Sequence, residues 1–213
     1  MEKRCVYEVL DKKPYFRRKS IDMSFPKVWF RNPITAVEVL HKNYKSLYDD
    51  TKSLFEISSA ADNVVGKKLS ALNLKDEKGR TVECVFQSSK KFENGGPYLD
   101  LLNVSSKQAK KDKRLKESGR VIAFIKDGIE YPTKPVTAFY DYIYISTLIN
   151  NKDLCDLLDT YDAFTDIWFN PKNSLNCQAE AIAIYRGLKE SNNLDKAMKS
   201  FDNFVNEVFV LIV

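Results

Sequence analysis

Two stretches of the chain hold the residues best suited to chemistry. The first runs Thr81-Val82-Glu83-Cys84-Val85-Phe86-Gln87-Ser88-Ser89-Lys90. Read as a helix, it brings Glu83, Gln87 and Lys90 within about 60° of one another at ~100° per residue. Val82, Val85 and Ser89 fall on another side, with Phe86 at the edge. A carboxylate, an amide and an amine on one face can move protons and hold hydroxyls or phosphates. The plainer alternative is a solvated face on which Glu83 and Lys90 stand too far apart to pair. The second stretch covers residues 164–179. If residues 164–169 are extended, Asp166 and Trp168 share one face. The loop after them leads to a helix start, where Asn176 and free backbone N–H groups could take an anion. An ordinary capped helix after a loop accounts for the same pattern.

Other chemistry is excluded or discouraged by composition. The chain has one histidine, His41, which lies inside an amphipathic helical pattern. Ser-His-Asp and Cys-His mechanisms would all have to use it, so an enzyme here is expected to work with carboxylates, lysine and amides. The four cysteines, Cys5, Cys84, Cys155 and Cys177, form no C-x-x-C pair. A metal site is therefore not expected, nor any other cofactor, and the cysteines read as buried free thiols in a reducing compartment. The formal net charge is +5, and the excess is uneven. Lys107, Lys110, Lys111 and Arg114 form a stripe within about 100° of arc if residues 105–116 are helical. The stripe reads either as a phosphate contact, to a polynucleotide for instance, or as a solvated helix face.

The elements that must position these residues are legible in outline. With 213 residues and 44% hydrophobic content the chain can bury a core without staples, and it shows no internal repeat or linker. One domain is expected. Residues 1–31 mix basic and aromatic side chains (Tyr15, Phe16, Arg17, Arg18, Lys19, Phe25, Trp29, Phe30) and read as extended segments laid on the core. Asn32-Pro33 starts a helix that runs to about Asp49. Residues 54–57 read as a strand, Lys78-Gly79 as a turn, and residues 81–92 as a helix. Ser105 to Gln108 has the form of a capping box and opens the basic helix. Residues 121–125 and 129–131 flank Asp127-Gly128 as a hairpin. Residues 137–148 predict an almost wholly apolar helix, Asn151 caps the next at 152–158, Ser174 caps one through Leu188, and a last helix spans 194–209. The balance is α+β, helix-rich, with a few short strands. The longest apolar run, residues 208–213, falls far short of the ~20 residues of a membrane span. No apolar signal region follows the N-terminus, so a cytoplasmic protein is expected.

The sequence also resembles a known family. Thr81-x-Glu83-x-x-Phe86-Gln87-x-x-Lys90-x-Phe92 is similar to the signature helix of the NADAR superfamily, also called YbiA-like, of the form T/S-E-x-x-F-Q-x-x-K-F. Residues 69–74 resemble its F-S-N-F segment, Ser106-Lys107-Gln108-Ala109-Lys110 its P-x-x-A-K helix start, and residues 166–179 its closing D-x-x-W-G … N-x-L-G motif. The match is ordered along residues 69–189, which would be the catalytic core, with 1–31 an extension packed on it. There are departures. Trp168 follows Asp166 by two residues rather than three, Phe169 and Gln178 stand where glycines are expected, and Lys91 displaces Phe92 by one position. The resemblance implies a metal-independent N-glycosidase of a divergent branch, cleaving a ribose–nitrogen bond. It implies Glu83 as cation stabiliser or water activator and Asp166 as orienter of water or proton donor. Gln87, Lys90, Trp168 and Asn176 would bind substrate, and Lys107, Lys110, Lys111 and Arg114 would meet phosphate or nucleic acid. The implied substrate is an ADP-ribosylated or otherwise modified nucleobase of nucleic acid, with toxin reversal or phage defence as the setting. Small phosphorylated N-ribosides are one alternative, and a non-catalytic ADP-ribose or nucleic-acid binding module is another.

Overall fold

The computed structural model describes residues 2–23, 32–49 and 51–209. Phe25, Trp29, Phe30 and residues 210–213 of the terminal apolar run lie outside them. Strands β1 (Glu2–Val9) and β2 (Phe16–Met23) open the chain as an antiparallel pair, with Glu2 opposite Met23 and Val9 opposite Phe16. Helix α1 (Pro33–Leu47) starts where expected. Asn32 accepts from the Thr35 N–H at 3.4 Å, and Pro33 takes the first helical position. Strand β3 (Leu54–Glu56) and the short helix α2 (Val64–Leu69) follow.

Helix α3 (Val82–Ser88) is capped by the Thr81 hydroxyl, which accepts from the Cys84 N–H at 3.2 Å. The expected helix to residue 92 is corrected here. The hydroxyls of Ser88 and Ser89 both turn back to the Val85 carbonyl, at 3.1 and 2.7 Å, and the chain leaves the helix. Lys90–Phe92 instead form strand β4, so Lys90 reaches its position from a strand. Helix α4 (Ser106–Lys111) has the expected capping box between Ser105 and Gln108. It ends early because the Asp112 carboxylate takes the Arg114 N–H at 2.9 Å, and a separate turn of helix, α5 (Arg114–Glu117), follows. Strands β5 (Val121–Lys126) and β6 (Ile129–Tyr131) make the expected hairpin, with φ of 50° at Asp127 and 80° at Gly128.

Helix α6 (Ala138–Ile149) is buried on nearly every side. Helix α7 (Lys152–Leu158) begins without a side-chain cap, since the Asn151 amide donates to the carbonyls of Lys75 and Thr147. Strand β7 (Ala163–Thr165) stops before Asp166. Asp166 and Trp168 therefore sit on the turn beyond the strand rather than on one face of it. Helix α8 (Gln178–Glu190) begins at Gln178, not beside Ser174, whose N–H closes a turn on the Asn170 carbonyl at 3.0 Å. The expected final helix is two, α9 (Leu194–Ala197) and α10 (Phe201–Val208), separated where the Ser200 hydroxyl caps the second.

The main sheet has the order β2-β1-β7-β3, with β1 antiparallel to both neighbours and β3 parallel to β7; the second has the order β4-β5-β6. Period-two alternation sorts the main sheet's faces. Tyr7, Phe55 and Phe164 join the core built on α6 and α8, while Val6, Ile21 and Ala163 meet Val37, Leu40 and Tyr44 of α1. The fold is α+β and helix-rich, and the N-terminal segment is woven into its main sheet. Among the described residues, no helix is long and apolar enough to cross a membrane.

Candidate functional site

The buried helix α3, the end of β7 and the loop leading into α8 converge on a cleft of about 900 Å³. It is lined by Glu83, Gln87 and Lys90 of α3 and β4 and by Asp166, Trp168 and Asn176 of the segment between β7 and α8. Lys110 and Lys111 of α4 also line it, whereas Lys107 and Arg114 are not among its lining residues. The guanidinium of Arg114 is held by Asp100 at 2.6 Å and Asp112 at 2.9 Å and lies 4.4 Å from the Tyr98 ring centre. The break in the basic helix thus divides the expected stripe, with two lysines at the cleft and an arginine engaged in ion pairs.

On the α3 side, one helical turn separates Glu83 from Gln87, so the Gln87 amide donates to Glu83 Oε1 at 2.8 Å. Gln87 Oε1 is buried with no hydrogen-bond partner. The Lys90 ammonium lies 4.6 Å from the Phe86 ring centre. Burial lowers its pKa to about 8, Glu83 opposes that shift, and Lys110 adds to it. The hydroxyl of the buried Tyr140 belongs to the same wall, its ionisation pushed well up by burial and then by Glu83.

On the other side, Asp166 Oδ1 accepts from the Trp168 N–H at 3.0 Å. Burial raises the Asp166 pKa to about 7, the charge of Glu56 adds to that shift, and the Trp168 and Phe169 N–H groups and Lys110 oppose it. Glu56 ends β3, is buried, and lines a smaller cavity with His41 and Asp62 on the α1 side. Its Oε1 accepts from Ser58 at 2.6 Å and from the Ile167 N–H at 2.9 Å, and its Oε2 accepts from Thr165 at 2.6 Å. His41 Nε2 lies 2.9 Å from the Thr165 hydroxyl, which gives its own proton to Glu56. The imidazole is therefore the donor in that contact. Burial, and then Lys45, lower its pKa to about 4, so it is neutral at pH 7.

Sequence reasoning missed three residues. Gln178 is the buckle of the cleft floor, because its amide accepts from the Ala71 N–H at 2.7 Å and donates to the Ile57 carbonyl at 2.5 Å. Tyr140 reads in sequence as one more core aromatic. Glu56 carries a usable signal: a carboxylate inside the apolar strand Leu54-Phe55-Glu56-Ile57 must be buried with partners. All four cysteines are buried and free. Among the described residues, no group of three or more His, Cys, Asp or Glu side chains is placed to hold a metal ion.

The arrangement can protonate a leaving group from one wall and stabilise a cation or activate water from the other. Lysines stand ready for anionic groups. In comparison with known families, the one described as DarT1-associated NADAR antitoxin matches residues 2–211. That span includes the N-terminal strand pair and the C-terminal helices as well as residues 69–189. No curated protein matches the chain.

Proposed function

Because the chain belongs to the DarT1-associated NADAR antitoxin family, we propose that it is an N-glycosidase that removes ADP-ribose from modified nucleobases of nucleic acid, reversing a toxin's modification. The observation that carries this reading is the pair of carboxylates, Glu83 and Asp166, that line one cleft from different elements and in different environments. Asp166 is buried, and burial raises its pKa to about 7, so it can carry a proton near neutral pH. Glu83 is held by an amide donor. Environments that set two carboxylates apart divide the acid and base roles between them.

In the reaction the bond between the ribose anomeric carbon and the base nitrogen breaks. Its electron pair goes to the nitrogen, which takes a proton from Asp166. Positive charge on the ribose ring faces Glu83, where a carboxylate lowers the energy of an oxocarbenium-like transition state. A water adds to the anomeric carbon and gives its proton to Glu83, and solvent exchange resets both groups. Lys90 binds a ribose hydroxyl or phosphate, Lys110 and Lys111 meet the diphosphate, Trp168 stacks on a base, and Asn176 anchors a polar edge.

The test is a mass-spectrometric assay on ADP-ribosylated guanine DNA and on N-ribosylated pyrimidine phosphates, with wild type and Glu83→Gln. Release of ADP-ribose from DNA by wild type, reduced at least ~100-fold in Glu83→Gln, is the expected result. Release from the small phosphates alone would make the protein a hydrolase of small N-ribosides. No release, with ADP-ribose bound equally by both proteins, would leave a binding module.

A further inference from the structure

Glu56 lies behind the cleft wall, on the α1 side of the main sheet, paired in register with Thr165. We propose that Glu56 is a positioning residue that aims Asp166 and keeps a proton on it; this rests on the reading of Asp166 as proton donor. One donor to Glu56 is the backbone N–H of Ile167, at 2.9 Å. The peptide that leaves Asp166 is thereby fixed at the point where the chain departs from β7, and the Asp166 side chain cannot swing with that turn.

Two buried carboxylates stand behind and within one wall. Among the described residues no lysine, arginine or histidine forms an ion pair with Glu56; the nearby buried Arg4 of β1 gives its Nε–H to the Ile167 carbonyl at 2.7 Å instead. Like charges this close disfavour double ionisation. The hydroxyls of Ser58 and Thr165 and the Ile167 N–H all donate to Glu56, so both of its oxygens are engaged as acceptors. Asp166 opens to the cleft instead. Burial pushes the Glu56 carboxyl up as well, but these three donors oppose that shift and favour the anion on Glu56 and the proton on Asp166. The other groups facing Asp166 do not reverse this. Tyr140 and Tyr144 of α6 and Cys177 ahead of α8 are neutral, and Glu83 across the cleft is a further carboxylate. Lys110 of α4 favours the Asp166 anion, but its effect ranks below that of Glu56. His41 is neutral and supplies Thr165 with a donor without bringing a countercharge. A structural role alone would be served better by an apolar side chain, since a buried charge without a counterion is costly.

Two measurements test this. The first is an NMR titration of the Asp166 carboxyl carbon in wild type, Glu56→Gln and Thr165→Val. Glu56→Gln keeps the Oε1 acceptor for Ser58 and Ile167 and removes the charge. The Asp166 titration should then move down by about one pH unit or more, and Thr165→Val, which strips one donor from Glu56, should move it in the same direction by less. The second is the pH profile of kcat/KM. Wild-type activity should fall about tenfold per unit above the Asp166 midpoint, and Glu56→Gln should shift that falling limb downward while matching wild type at low pH. An Asp166 titration unchanged in both variants, or an activity loss equal at every pH, would overturn the proposal. If Glu56→Gln does not fold, Thr165→Val carries the test. Full turnover by Asp166→Asn would instead sink the proton-donor reading while leaving the titration result standing.

Discussion

Gln87 joins the two uses of its wall. Its amide nitrogen is committed to Glu83 at 2.8 Å, which fixes the orientation of the group and leaves Oε1 as a buried acceptor on the cleft. A buried polar atom without a partner is costly unless a ligand group completes it. A ribose hydroxyl or an N–H on a base edge has the chemistry to do so. Gln87→Met keeps the length of the side chain and loses both functions. A hydrogen bond to a charged group contributes about 1.5–3 kcal/mol, so kcat should fall roughly 10- to 150-fold. The melting temperature should hardly change, because the variant also removes the orphaned oxygen. Steady-state kinetics beside a thermal melt decide the matter, and an unchanged kcat would show that Glu83 needs no such support. Legibility at this scale followed local pattern rather than exposure to the cleft, which Gln178 and Tyr140 also line. Glu83, Gln87, Lys90, Asp166, Trp168 and Asn176 were legible as polar or stacking groups and all line one cleft. Glu56 and Gln178 were not, because they act through hydrogen bonds to segments far away in sequence: Ile167 for the first, Ile57 and Ala71 for the second.

Elements were legible where a local rule dictates the backbone and obscure where side chains compete with it. Asn32-Pro33, Ser105 with Gln108, and Asp127-Gly128 each specify a cap or a turn with nearest-neighbour chemistry, and each stands in the structure. The helix ends at Ser88, Lys111 and Ala197 were missed because Ser88 and Ser89, Asp112 and Ser200 use short polar side chains to take over backbone groups. Helix α8 raises a question of packing at this scale. It rests on the turn between β1 and β2 at Gly187, where a methyl group would lie 2.5 Å from the Leu10 carbonyl oxygen and 2.6 Å from that of Tyr15. Replacing a helical glycine by alanine ordinarily adds about 1 kcal/mol of stability. Overpacking against fixed backbone costs ~1–3 kcal/mol, and the Tyr15 carbonyl, which accepts from the Leu10 N–H at 2.9 Å, cannot yield as a flexible side chain would. The second effect should win. Gly187→Ala is expected to lower the melting temperature by several degrees, at about 2–4 °C per kcal/mol for a chain of this size. A higher melting temperature would mean that the turn between β1 and β2 gives way freely.

At the scale of the whole molecule, a net charge of +5 does little by itself; its distribution matters. Arg114 and Arg120 are paired with Asp100, Asp112 and Glu93, so the two arginines of the basic run from Lys107 onward are internally neutralised. Lys110 and Lys111 remain exposed on the cleft, beside the half-buried Lys90. If the substrate is a strand of nucleic acid whose modified base enters the cleft, these two lysines meet phosphates and release counterions. The slope of log affinity against log salt should then fall by about 0.7 for each lysine lost on a single strand, or ~1.4 for Lys110→Ala with Lys111→Ala. Replacing Lys107, which does not line the cleft, should change that slope far less. A substrate confined to the cleft, such as a free phosphorylated riboside, would give a shallow slope in wild type and a loss of affinity from the double variant that salt does not erase. Fluorescence anisotropy on a single-stranded oligonucleotide, across a salt series and with ADP-ribose as the small reference ligand, separates the two. A steep wild-type slope that the double variant leaves intact would place the polymer contact elsewhere on the surface and confine Lys110 and Lys111 to the charge balance around Asp166 and Lys90.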